Sequence, residues 1–447
     1  MTRSGQPGQR DWGDAASAAD GARRRIVEGP GGCMTTANPE GALTRARTSA
    51  PAAVRQALAH PLSSYYLLLG ASALLLTIGL IMVTSSSSVL AYRTSGDSYS
   101  IVKRQLMWVA IGLPVAWVAS RVPVAAVRRL AWPGLGVAAG LLVLVQVPGL
   151  GVEVAGNQNW LGVGPFRLQP SEVAKFAVVI WAAHVFARKE PLLDRTAHIL
   201  VPVVPGVGLV TGLVVLGRDL GTALVFGGIL MALLWVVGLN WRYFAFGLSA
   251  LVALAFVAAS TSAERRDRLT NFVDPLQTYH DNGWQPAHGL YALATGGWLG
   301  NGIGDSTQKW GDLPEAHTDF IFAVLGEELG LAGTVLVVSL FGAIAFAAVR
   351  VALRTADPFV RYCSFGVVAW LLGQMIINVG MVLAVLPVIG IPLPLISYGG
   401  SALVPSLAAL GLLVGFARRE PEAAEALEAR RTRTYGVSAP GAARSTS

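Results

Sequence analysis

Apolar residues in this chain come in long unbroken runs separated by short polar breaks, with little of the alternation that marks a half-buried strand or a surface helix. A run of about 20 apolar residues is long enough to cross a bilayer as a helix. Ten such runs can be placed: Tyr65–Val83, Gln105–Ser120, Leu130–Val147, Ser171–Ala187, Ile199–Leu216, Ala223–Leu239, Tyr243–Ser260, Thr318–Ala348, Tyr362–Leu386 and Ala402–Ala417. The serine run Ser85–Ser88 is expected to end the first helix, and GRDLGT (Gly217–Thr222) to divide the fifth from the sixth. Thr318 or Asp319 is placed to cap the eighth, because a short polar side chain before an apolar run accepts the free N–H groups of the first turn. The predicted fold class is an all-α polytopic membrane protein of about ten transmembrane helices. A long outer loop, Thr261–His317, joins helices seven and eight.

Composition agrees. The chain has 447 residues, of which 53% are hydrophobic and 13% charged, and a soluble protein carries about a quarter charged residues. The formal charge of +8 first suggests nucleic acid. Residues 1–62, however, hold eight arginines against five acids, and residues 418–447 hold six against four. Both segments lack apolar period and read as disordered cytoplasmic tails flanking a membrane domain over 63–417. Most of the remaining basic residues fall in short loops, so no nucleic-acid partner is expected. Arg121, Arg128, Arg129, Arg188, Lys189, Arg242, Arg350, Arg354, Arg361, Arg418 and Arg419 lie on one side if both termini are inside. Arg265, Arg266 and Arg268 break that rule, and either an external anion or the neighbouring Glu264, Asp267 and Asp274 would balance them. Two cysteines, Cys33 and Cys363, exclude a disulfide framework. No internal repeat marks an inverted-repeat transporter.

Polar residues collect at four outer helix ends. Ser171, Glu172 and Lys175 open helix four, and the i, i+3 spacing lets Glu172 and Lys175 pair. Asp219 stands before Leu220-Gly221-Thr222, where it can cap helix six, and Arg218 beside it can neutralise it or meet a phosphate. Helix eight follows a loop carrying Lys309, Glu315, His317 and Asp319, and it continues with two adjacent acids, Glu327 and Glu328. An acid inside hydrocarbon costs about 2.5–3.5 kcal/mol or more, so each needs a partner or a polar cavity. The fourth group is the SYGGS segment with Ser397. The loop Pro148–Pro170 adds Trp160, an interfacial anchor or a platform for a sugar ring, and Arg167. Glycines 296, 297, 300, 302 and 304 have no preceding strand and make a poor dinucleotide loop. Glu315, His317 and Asp319 match no strong metal motif but could touch a substrate-associated Mg²⁺ or Mn²⁺. No organic cofactor is implied.

Four stretches resemble a known family: NQNWLGVGPFRLQPSEVAKFA (Asn157–Ala177), RDLGT (Arg218–Thr222), QKWGDLPEAHTDFIFAVLGEELGLAG (Gln308–Gly333) and NVGMVLAVLPVIGIPLPLISYGGSA (Asn378–Ala402). They are similar to the SEDS glycosyltransferases, the FtsW/RodA/SpoVE group, over about residues 64–417. The resemblance implies a ten-helix enzyme that polymerises lipid II, an undecaprenyl-pyrophosphate-linked substrate, into glycan strands on the outer face of the bacterial cytoplasmic membrane. It implies a class B penicillin-binding transpeptidase as partner. By position, Asp319 falls on the family's catalytic acid. Trp160, Glu172, Lys175 and Asp219 fall on positions lining the cavity for the lipid-linked sugar. QKW, LPEAHTDF and LGEE look closer to the division branch, FtsW, than to the elongation branch, RodA. That implies septal wall synthesis beside other division proteins. Asn159 stands where the family often has Arg, and Arg218 where it usually has Pro.

Glycan polymerisation requires a hydroxyl to lose its proton, C1 of the donor to be attacked, and pyrophosphate to leave. A partly desolvated Asp319 suits the first task as general base, giving inversion at C1. Lys175, Arg265, Arg266, Arg268, Lys309 or a divalent ion are candidates for the third. Arg167, Glu315, His317 and Ser397 complete the expected substrate contacts. Rival readings are a lipid II flippase or a proton-coupled carrier using Glu327 and Glu328, and a non-catalytic scaffold for a transpeptidase.

Overall fold

Every one of the ten apolar runs becomes a helix. The computed structural model describes residues 59–154, 157–163, 166–260, 275–279, 283–311 and 313–435. In chain order the helices are α1 (Ser63–Ser95), α2 (Ser100–Arg121), the short α3 (Val124–Arg129), α4 (Ala131–Gln146), α5 (Pro170–Lys189), α6 (Thr196–Leu200) and α7 (Val203–Leu216). They continue with α8 (Leu220–Val236), α9 (Trp241–Ser260), α10 (Trp284–Thr295), α11 (Ile321–Arg354), α12 (Pro358–Val382), α13 (Gly400–Ala417) and α14 (Pro421–Tyr435). Seven of these spans are long and apolar enough to cross a membrane, α6 and α7 counting as one, and α4 and α8 are shorter apolar helices. Most of tail 1–62 and the arginines 265, 266 and 268 lie outside the described residues.

The core forms around α5. Trp181 and Phe186 are fully enclosed there, and α5 packs on α4 and α12. In lipid, helices are held by close packing, so small residues at crossings matter. Gly411 and Gly415 of α13 lie directly against the Ala116 and Ser120 carbonyls of α2, leaving no room for a Cβ. Gly79 of α1 meets the backbone of Leu395 and Ile396 in the same way.

Four expectations need correction. Helix α1 does not end at Ser85–Ser88 but runs two turns further to Ser95. The hydroxyls of Thr84 and Ser86 donate to the helix's own Leu80 and Met82 carbonyls at 2.6 and 2.7 Å. They satisfy themselves inside the helix and need not leave it. The loop Pro148–Pro170 carries a three-stranded antiparallel sheet of β1 (Gly151–Val154), β2 (Asn157–Val163) and β3 (Phe166–Leu168). The tail expected to be disordered from 418 forms α14 instead, with Glu420 almost fully buried and Arg354 at 3.8 Å from Glu420 and 3.3 Å from Glu422. Helix α11 starts after Phe320 with no side-chain cap. The Thr318 hydroxyl is engaged with the Glu315 carboxylate at 2.6 Å instead.

Helix α11 is two helices joined at Gly330, whose φ of 67° lies in the left-handed region. In an unbroken helix Leu331 and Ala332 N–H would donate to the Glu327 and Glu328 carbonyls. Here they donate to the Gly297 and Trp298 carbonyls at 2.9 and 3.1 Å. The freed Glu327 and Glu328 carbonyls accept from Asn301 and Gly302 N–H at 3.0 and 3.1 Å. The glycine-rich loop after α10 thus replaces two helical bonds with four of its own, which is how irregular backbone is tolerated at membrane depth. Only glycine fits at 300: its φ is +80°, and a Cβ would overlap the Glu328 carbonyl. Gly300→Ala is expected to cost on the order of 3 kcal/mol. Thermal unfolding in detergent reads this as a lowered midpoint, against Gly228→Ala, where a Cβ meets nothing within 4 Å. Equal midpoints would mean that the loop is not seated in the break.

Candidate active site

The start of α8 fixes the first wall of the site. Asp219 caps that helix, accepting from Thr222 N–H and Thr222 Oγ1, each at 2.9 Å. Its Oδ2 also accepts from Asn159 Nδ2 at 2.9 Å and Gln169 Nε2 at 3.1 Å. A single carboxylate therefore ties α8 to β2 and to the residue before α5. Gly221, two residues on, packs so close to the Ile389 carbonyl that a Cβ would overlap it. Asn159, one of the positions that departs from the resembling family, is engaged with the acid here.

The segment that touches Gly221 continues over Asp319. Gly390 is left-handed (φ +70°), and a Cβ there would come within 3.3 Å of Asp319 Oδ2. Ala384 and Leu395 are also left-handed, at φ 54° and 65°, although neither is glycine. Two left-handed residues that are not glycine, with a left-handed glycine between them, mark a segment whose shape is imposed by its partners. Those partners are the residues around Asp319. Tyr398 N–H donates to the His317 carbonyl at 2.9 Å, Ser397 Oγ to the Thr318 carbonyl at 2.7 Å, and Asn378 Nδ2 to the Asp319 carbonyl at 2.8 Å.

Asp319 is partly accessible, and no ion pair to it occurs among the described residues. Desolvation pushes its pKa up to about 7, and the negative charges of Glu315 and Asp219 push the same way. Burial lowers the pKa of His317, with Glu315 opposing it. A neutral imidazole, packed 5.6 Å from the Tyr398 ring, offers a hydrogen bond but no positive charge.

At the start of α5, Lys175 Nζ donates to Glu172 Oε1 at 2.7 Å, and both are almost fully buried. Lys175 also lies 5.8 Å from the Trp370 ring of α12. Glu172 Oε2 and Ser171 Oγ have no hydrogen-bond partner among the described residues. The pair is thus enclosed between helices with one carboxylate oxygen unsatisfied. Trp160 is half-buried on β2 opposite Val152, and Arg167 on β3 is exposed. Glu315 is exposed with a left-handed backbone (φ 53°). Arg265 falls outside the described residues.

Two expected contacts belong elsewhere. Lys309 Nζ bonds Ser85 Oγ and Glu328 Oε1, each at 3.0 Å, and the Gly304 carbonyl. Ser85 Oγ closes the triangle on Glu328 Oε1 at 2.5 Å. Glu327 accepts from Ser306 Oγ, Thr307 Oγ1 and Thr307 N–H at 2.5, 2.7 and 2.9 Å. Both acids of α11 thus fasten the 304–309 loop to the break, which removes the basis for a proton-carrying role. A cavity of about 400 Å³ between α1 and this loop has Lys309, Thr84 and Trp310 on its wall and no carboxylate. It shares no residue with the Asp319 cluster.

Sequence reasoning missed Asn378, Gln169 and Thr222 as members of the site. Asn378 carried a usable signal, one of two amides, with Gln374, within an apolar run. For a metal, no group of three His, Cys, Asp or Glu side chains that could hold one occurs among the described residues. Asp219 already accepts four hydrogen bonds. The described residues alone offer no cage for a resident ion, and no step is routed through one.

The family profile described as a cell cycle protein, FtsW/RodA/SpoVE, matches residues 65–422. A probable peptidoglycan glycosyltransferase FtsW of Mycobacterium tuberculosis is 40% identical over 419 residues, covering 93% of this chain and 79% of that protein. Stage V sporulation protein E of Bacillus subtilis is 36% identical over 349 residues, 77% of this chain and 94% of that one. Among solved structures, a chain from a peptidoglycan synthase complex, studied for how polymerisation and crosslinking are coordinated, superposes with a TM-score of 0.65. It is 29% identical over 79% of this chain and 97% of its own. The rod shape determining protein RodA of Thermus thermophilus superposes with a TM-score of 0.58 at 26% identity, over 80% and 97% of the two chains.

Proposed function

This chain belongs to the FtsW/RodA/SpoVE family of cell cycle proteins, and from that premise we propose that it is a peptidoglycan glycosyltransferase with Asp319 as its general base. Its substrate in this reading is lipid II, polymerised on the outer face of the cytoplasmic membrane. The observation that carries the proposal is the state of Asp319. It is an accessible carboxylate without a counter-ion, and desolvation poises it near neutrality. A base of that strength takes a proton from a sugar hydroxyl most effectively near neutral pH. Attack by that hydroxyl from the side opposite the leaving group inverts C1.

The buried Glu172–Lys175 pair lies at the start of α5, near the Asp219 cluster through Gln169. In this reading its ammonium would meet the departing diphosphate, in a site where low dielectric strengthens the interaction. Trp160 would stack on a sugar ring. A divalent ion would enter with the pyrophosphate and not on protein ligands. Arginine placement in the short loops supports cytoplasmic termini, and similarity to FtsW proteins supports a role at the septum. The synthase complex in which a similar chain occurs supports a class B transpeptidase as partner.

The test is glycan formation from purified lipid II by the reconstituted protein, with its transpeptidase and Mg²⁺ present. Polymer that depends on this chain, and not on the transpeptidase alone, is the expected product. Lipid II crossing the bilayer with no polymer formed would replace the enzyme by a transporter.

A further inference from the structure

The backbone that carries Asp319 is bonded through three consecutive carbonyls to a single region of the fold. Three consecutive carbonyls, those of His317, Thr318 and Asp319, each accept one hydrogen bond from the α12–α13 region. Two of the donors, Tyr398 N–H and Ser397 Oγ, come from the strained segment itself, and Ser397 Oγ additionally accepts from Leu393 N–H at 2.8 Å. The third is different. Asn378 belongs to α12, a regular helix, and is fully buried. Its Nδ2 donates to two carbonyls at once, Asp319 and Ile391, each at 2.8 Å. Because both neighbours are acceptors, only the NH₂ end of the amide can face them. Asn378 Oδ1 has no partner among the described residues. That is an uncommon arrangement for a buried amide, and it leaves the double donation as the side chain's evident role.

We infer that Asn378 is the positioning residue for Asp319, fixing the acid's backbone to the Ile391 carbonyl and so setting how closely the Gly390 cap lies over the carboxylate. The inference rests on the reading of Asp319 as the base. Neither of the other two donors connects Asp319 to a rigid helix, since both ride on a segment with left-handed residues at 384, 390 and 395. Without the amide, the Asp319 and Ile391 carbonyls lose their shared donor, and the cap and the acid can separate. More water then reaches the carboxylate, which is only partly accessible in the intact site. Glu315 on the same loop and Asp219 at the start of α8 are the charged groups that face it, and their repulsion is screened by that water.

Two variants separate positioning from packing. Asn378→Leu keeps the volume and removes both hydrogen bonds, while Asn378→Ser also opens space. Both are expected to lower kcat for glycan formation about 100-fold, with KM for lipid II changed less than threefold. In Asn378→Ser the rising limb of the pH–rate profile is expected to move to lower pH by at least half a unit, because a hydrated Asp319 ionises more readily. A kcat within twofold of wild type in both variants would overturn the inference. So would a loss that only tracks the folded fraction, with the limb unmoved. Carbodiimide labelling of Asp319 in detergent, read by mass spectrometry, needs no turnover. Labelling should rise severalfold in Asn378→Ser, and unchanged labelling also overturns the clamp. If the wild type makes no polymer, the glycosyltransferase reading fails, and labelling still decides the role of Asn378.

Discussion

Asp319→Asn is expected to reduce glycan polymerisation from lipid II by 100- to 10,000-fold, about the range general-base catalysis contributes. The substitution keeps the side chain's shape and its neighbours and removes only the ability to take a proton. Binding of lipid II should therefore survive while kcat falls. The wild-type rate should rise with pH and level off above about 7, because the acid must be ionised to act and its pKa lies near 7. The variant's residual rate should lack that limb. Stability moves the opposite way. Desolvation holds the folded-state pKa well above the ordinary value of 3.8, so the folded protein retains a proton that the unfolded chain releases. Stability is then fully present below about pH 4 and is lost as pH rises through 7, where the ionised carboxylate costs the fold a few kcal/mol. Asp319→Asn removes that cost. The inactive variant should melt higher than wild type at pH 8 and with it at pH 4. A variant that is inactive because it unfolds would melt lower at both, and equal activity in the two proteins would remove Asp319 as the base.

How much of this was legible beforehand divides along one line. Contacts made through composition or local spacing could be read, and contacts made between distant backbones could not. The apolar runs marked the helices, seven of them long and apolar enough to cross a membrane among the described residues, because a helix in lipid needs only length and apolarity. The Glu172–Lys175 pair followed from i, i+3 spacing, and the Asp219 cap from its place before α8. Ser85–Ser88 misled because serine usually opposes helix continuation. Here Thr84 and Ser86 bond back to their own helix, and Ser85 reaches Glu328, 243 residues away. The break at Gly330 was hidden for the same reason. Its carbonyls and N–H groups are satisfied by residues 297–302, whose glycines read from the sequence only as a poor dinucleotide loop. Asn378 was visible as an odd amide, yet its two acceptors lie 59 and 13 residues away and no spacing rule connects them.

The second large effect concerns Lys309, which chemistry alone offered as a partner for pyrophosphate and which the structure buries against Glu328 at 3.0 Å. Lys309→Met leaves the Glu328 carboxylate without its cation, since Ser85 alone remains on Oε1 and Oε2 has no partner among the described residues. Removing one member of a buried pair costs about 3–5 kcal/mol, because the other charge stays in a medium that cannot solvate it. Lys309→Met is therefore expected to lose most of its folded protein, and with it activity. The double variant Lys309→Met, Glu328→Leu removes both charges and should recover thermal stability to within about 2 kcal/mol of wild type, as apolar replacement of a buried pair is often neutral. Its polymerase activity decides between the two roles. If Lys309 fastens the 304–309 loop to α11, restoring the fold restores the rate, and the coupling energy of the pair accounts for the loss in the single variant. If Lys309 meets the leaving diphosphate, the double variant folds and binds lipid II but does not polymerise it. The geometry predicts the first outcome, because three acceptors already surround the ammonium, matching its three donors. The charge for the leaving group would then have to come from another cation, and Lys175, with one carboxylate contact in place of three acceptors, is the alternative to test.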